Sequence, residues 1–90
     1  MNKNNLIKEH RREIDKIHQK LILFIAKRNN VFKKISKLKN ELKLPRIDIA
    51  REKQMINDAR ETAGKLDINE KIVIKIIKIL IRKNLGKRLK

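Results

Sequence analysis

From Asn5 to Leu42 the chain contains neither proline nor glycine. Through that run apolar residues return every three or four positions: Ile14, Ile17, Leu21, Ile25, then Phe32, Ile35 and Leu42. This is the period of one face of an α-helix. A helix of ~38 residues at ~1.5 Å rise is a rod of about 57 Å. Such a rod is too long for the core of a 90-residue monomer. The spacing therefore predicts a helix that pairs with another, and a stripe of Ile and Leu suits a second copy of the same chain.

Two cations break the stripe. Arg28 falls between Ile25 and Phe32, and Lys39 between Ile35 and Leu42. A cation on a buried face costs free energy unless something anionic meets it there. Long side chains can instead carry their charged ends out to water. The chain has many other places for a Lys or Arg, so this face is a candidate lining for an anion-binding cavity.

The remaining helices are shorter. Pro45, the only proline, should stop the first helix, because the residue before a proline disfavours the α region. Asp48 is a natural N-cap for a second helix with Met55, Ile56, Ala59 and Ala63 on its inner face, and Gly64 is expected to end it. Asp67-Ile68-Asn69-Glu70 reads as a capping box for a third helix. Its inner stripe would be Val73, Ile76, Ile77 and Leu80, followed by Asn84 and Arg88. Polar residues thus sit on apolar faces in all three helices, with Glu52 and Asp48 on the second. The pattern argues for a polar pocket within a helical bundle.

Composition narrows the chemistry. The chain has no cysteine, which removes disulfides and thiolate metal sites. Met1–Arg12 lacks the apolar core of a signal peptide. The apolar stretch Ile72–Ile81 is interrupted by Lys75 and Lys78 and is too short to span a bilayer. A soluble cytoplasmic protein is expected. The net charge of +16 invites a nucleic-acid reading. Lys, Asn and Ile are abundant together, however, and an AT-rich genome gives the same bias without a ligand. The candidate pocket holds several cations, one carboxylate and one amide. It has no Ser–His pair, and His10 and His18 are not spaced for a shared metal. It suits a multiply anionic molecule that also carries a hydroxyl.

These residues, in this order, resemble the all-helical (AroQ-type) chorismate mutases. The resemblance rests on Arg11 three residues before Ile14, on Lys20-Leu21-x4-Ala26-x-Arg28, and on Lys37-x-Lys39. It continues through Pro45-x2-Asp48-x2-Arg51-Glu52 and Ile76-x3-Leu80-Ile81-x2-Asn84. It covers nearly the whole chain. It implies an all-α fold of one long, one short and one medium helix in a single domain, residues 1–90, intertwined as a homodimer. It also implies conversion of chorismate to prephenate, a [3,3] rearrangement on the way to phenylalanine and tyrosine, with no cofactor and no metal.

The resemblance further implies roles for individual residues. Arg28 would bind a substrate carboxylate, assisted by Arg51 and the side chain of Asn84. Lys39 would donate to the ether oxygen and a carboxylate. Glu52, with the backbone at Asp48, would hold the ring hydroxyl. Arg11 and Lys39 lie 28 positions apart on one helix, about 42 Å. If both touch one substrate, Arg11 must come from a second, antiparallel chain.

Three departures from the family pattern stand out. Arg88 falls where many relatives carry Gln or Glu near the ether oxygen. A permanently charged Arg there would reinforce Lys39 and give a flat rate profile from about pH 5 to 8. Asn84 stands where Ser is frequent and can still donate a hydrogen bond. His18 falls where an acidic residue is common. Two other functions fit parts of the pattern. An isochorismate-pyruvate lyase on the same fold would use similar cations, but Glu52 favours the mutase. A basic helical nucleic-acid-binding protein would explain the charge but not Glu52 among the cations. No fused or regulatory domain is expected within this length, and neither is a membrane partner.

Overall fold

The computed structural model describes residues 2–86, with side chains through Arg82. It contains three helices: α1, Lys3–Glu41; α2, Ile49–Lys65; and α3, Glu70–Gly86. No strand occurs among the described residues. The chain divides into two compact units, Met1–Lys37 and Leu38–Lys90. The all-α expectation holds.

α1 starts two residues before the position read from the sequence, because Asn2 caps it. The Asn2 Oδ1 accepts the Asn4 N–H at 2.7 Å, and the Asn2 carbonyl accepts from Asn5 and Leu6. A side-chain oxygen in this position satisfies one of the orphan donors of a first turn. Within Met1–Lys37 no described side chain is fully buried. Ile17 and Leu21, in the middle of the stripe, remain 55% and 53% exposed. Arg28, Phe32 and Ser36 are half-buried.

The end of α1 is set by a left-handed residue two positions before Pro45. The Leu44 N–H donates to the Lys39 carbonyl at 2.8 Å, the Lys43 N–H donates to the Asn40 carbonyl at 3.2 Å, and Lys43 has φ 57°. This pair of bonds is the Schellman closure. Pro45 then keeps Leu44 out of the α region.

The same closure ends α2, and here the structure corrects the sequence reading. Gly64 does not end the helix, which runs on to Lys65. The left-handed residue is Asp67, at φ 55°. The Ile68 N–H donates to the Ala63 carbonyl at 2.9 Å and the Asp67 N–H to the Gly64 carbonyl at 3.3 Å. Asp67 is thereby committed to the end of α2 and cannot open a capping box. Asn69 caps α3 alone, its Oδ1 accepting the Ile72 N–H at 3.2 Å. Glu70 turns instead to Arg60, with 3.5 Å between its carboxylate and the guanidinium. Both partners are about half exposed, so this bridge adds little stability.

The four-residue connection folds α3 back against α2 as an αα-hairpin. Ala63 is 1% exposed and Ile81 8%. Met55, Ile56, Ala59, Val73, Ile74, Ile77 and Leu80 are half-buried around them. The inner face of α2 is the one read from its spacing. That of α3 is rotated: Ile74 and Ile81 turn inward, whereas Ile76 is 51% exposed. α3 is apolar around most of its circumference, so its period alone does not select the face that meets α2.

Candidate active site

Six of the eight expected site residues fall within Leu38–Lys90. Lys39 lies in the last turn of α1 and is half-buried. Its position suits the macrodipole, since a cation near a helix C-terminus faces the partial negative charge of the free carbonyls. Its Nζ donates to the Arg46 main-chain carbonyl at 3.4 Å. Two residues further on, Asp48 caps α2 in an extended conformation, φ −125° and ψ 96°. Its Oδ1 accepts the Arg51 N–H at 3.0 Å. The loop between α1 and α2 thus has Lys39 on one side of it and Asp48, Arg51 and Glu52 on the other.

Each of these side chains has a local reason for its place. Asp48 gives one carboxylate oxygen to the cap, and its main-chain carbonyl accepts the Glu52 N–H at 3.0 Å as the first bond of α2. Arg51 is exposed, and its Nη1 donates to the Gln54 Oε1 at 3.0 Å. Glu52 is half-buried in the first turn of α2, where its negative charge faces the positive end of the helix dipole. It lies one turn before Ile56, on the side that meets α3. Asn84 is placed on the last turn of α3, which the hairpin returns towards the start of α2. Its side chain lies outside the described residues, and so does the whole of Arg88.

The other two residues belong to Met1–Lys37. Arg11 is exposed on α1. Arg28 is half-buried, and desolvation holds its guanidinium below the ordinary value. Burial disfavours the charged form of a base. Partial burial of this cation is what its place in the apolar stripe predicts. Arg11 and Arg28 are 17 positions apart on one helix, about 26 Å. No small molecule reaches both within a single chain.

A surface groove of about 500 Å³ runs along α3 and is lined by Lys71, Lys75, Lys78 and Arg82 with neighbouring isoleucines. It contains none of the expected site residues. No three His, Cys, Asp or Glu side chains gather as a metal set would among the described residues. No helix among them is long and apolar enough to cross a membrane.

The sequence reading missed Arg46 and Lys43. Arg46 contributes through its carbonyl, which every residue possesses, and the link spans seven positions. Lys43 contributes through a backbone angle that its side chain does not favour. Neither leaves a signature in residue type.

The arrangement offers cations, a carboxylate and backbone acceptors, and among the described residues it holds no nucleophile with an adjacent base. It can bind and orient an anion and stabilise developing negative charge. Comparison with known proteins shows the family. The family model for type II chorismate mutase matches residues 10–86. The chain is 38% identical over 76 residues to the chorismate mutase of Methanocaldococcus jannaschii, covering 84% of this chain and 77% of that protein. No solved structure gives a significant match. Neither alternative function gains support from these matches. Mutase activity therefore accounts for the sequence pattern and the comparisons together, and the chain belongs to the type II chorismate mutase family.

Proposed function

We propose that two copies of this chain form each active site, with Arg11 of one copy completing a site built on Arg28, Lys39, Asp48, Arg51, Glu52 and Asn84 of the other. The observation that carries this reading is the separation of Arg11 and Arg28 on one continuous helix, combined with an apolar stripe that remains half exposed in the single chain. An exposed stripe of this length marks an interaction surface. An antiparallel copy of α1 covers the stripe and brings a distant Arg11 to Arg28 in the same step.

The reaction is an intramolecular rearrangement of chorismate to prephenate. It forms one C–C bond and breaks one C–O bond without a covalent enzyme intermediate. Arg28, with Arg51 and Asn84, anchors carboxylates and holds the enolpyruvyl arm over the ring. Glu52 and the backbone at Asp48 take the ring hydroxyl. Lys39 faces the ether oxygen, where negative charge accumulates as the C–O bond lengthens. Arg88 adds a second, permanent positive charge near the same oxygen.

Mixing two inactive variants tests the shared site. Arg11→Ala and Arg28→Ala are each expected to abolish most turnover of chorismate, followed by its loss of absorbance. After subunit exchange, half of the dimers pair one of each and contain one intact site of two. About a quarter of wild-type activity should return. No recovery after demonstrated exchange sinks the shared site. Formation of pyruvate from isochorismate, in place of prephenate from chorismate, would sink the proposed chemistry.

A further inference from the structure

The assignment of Lys39 as the donor to the ether oxygen, on which this inference rests, leaves open what holds a flexible side chain in place. A lysine has four rotatable side-chain bonds, and immobilising it carries a substantial entropy cost. Lys39 is secured at both ends by the loop that follows it. Its carbonyl accepts the Leu44 N–H at 2.8 Å, which closes α1. Its ammonium donates to the Arg46 carbonyl at 3.4 Å. Between these anchors the backbone turns left-handed at Lys43, φ 57°, and passes through Pro45, whose ring fixes its own φ. A non-glycine residue in the left-handed region is disfavoured and persists only when its surroundings hold it there.

We infer that the Lys43–Arg46 turn is a positioning device for Lys39, in which the Arg46 carbonyl holds the ammonium until substrate oxygen replaces it. A contact of 3.4 Å lies at the long end of the hydrogen-bond range, so it orients the ammonium without competing strongly against an anionic ligand. Pro45 is the stiff link, because it limits the directions in which the Arg46 carbonyl can point. Loosening Pro45 frees the donor while leaving the donor itself and the carboxylate-binding residues intact.

The test is a double-mutant cycle on the full-length protein, with kcat and KM measured for chorismate and folding checked by circular dichroism. Pro45→Gly is expected to lower kcat by about tenfold, because small misplacements of a catalytic group are expensive. KM should stay within about twofold. In a Lys39→Ala background the same change should lower kcat no further, since the group it positions is gone. Pro45→Ala, which disturbs the loop less, should show the same pattern at smaller size and serves if the glycine variant fails to fold. Unchanged kcat in both loop variants, with turnover lost in Lys39→Ala, overturns the positioning role and leaves the Lys39 assignment standing. An equal loss with and without Lys39 also overturns it, because the turn then acts on the fold as a whole. Near-normal turnover of Lys39→Ala overturns the Lys39 assignment itself.

Discussion

Leu38–Lys90 buries Ala63 and Ile81 between two helices, whereas Met1–Lys37 buries no described side chain completely. Both units have amphipathic helices with Ile and Leu at helical spacing. They differ in whether the complementary face lies nearby in the chain. α2 finds its partner across a four-residue connection, and such a loop costs little entropy to close. The stripe of α1 in Met1–Lys37 stays half exposed. One unit carries a small core of its own. Under the proposed function, a second copy docks on the other and stabilises it.

The largest expected effect breaks the rod and spares the hairpin. Leu21→Asp places a charge in the centre of the exposed stripe. On the proposed dimer it should weaken association by on the order of a thousandfold, since burying an unpaired carboxylate is costly. Sedimentation should then show monomers, and turnover should fall with dimer content. A tight Leu21→Asp dimer would mean that the stripe is not the interface.

Arg28 separates function from stability within the same unit. Arg28→Leu is expected to lower kcat/KM by about a hundredfold, the scale of losing one partner of a desolvated charge pair. The unfolding midpoint should change little, because the desolvation cost of the cation and the contact it makes are removed together. The sign of that cost follows from linkage. Burial lowers the Arg28 value below that of the unfolded chain, so the charged form is disfavoured in the fold. This cost is present at every pH below the folded value, including the neutral range, and is relieved only as pH rises through that value. Replacing the cation by an apolar side chain removes this cost along with the contact that Arg28 makes. A clear drop in stability would show that Arg28 holds the structure together as well as the substrate.

Two smaller effects belong to the hairpin. Ala63→Leu overfills a fully buried position of the hairpin and should cost about 1–3 kcal/mol in denaturant unfolding. A negligible cost would mean that the hairpin is loosely packed. Asp67→Gly relieves a left-handed residue at the end of α2 and should stabilise by about 1 kcal/mol. The gain depends on Asp67 having no other task, and a loss would point to one.

The sequence by itself determined the helices and most of their ends, and it nominated the candidate cations. These are matters of local physics: apolar spacing, the cap at Asp48, the proline at Pro45, and the anomaly of a charge within an apolar stripe. The cost of burying Arg28 is visible in that anomaly before any coordinates are known. Tertiary structure decided the rest. α3 is apolar around most of its surface, so only the arrival of α2 selects Ile74 and Ile81 over Ile76. Gly64 has the residue type that ends helices, yet the chain turns at Asp67, because the Schellman bonds to the Ala63 and Gly64 carbonyls fix the place of closure. The hold on Lys39 is made by a main-chain carbonyl seven residues away. Every residue carries such a carbonyl, and only the path of the backbone determines which one a lysine meets.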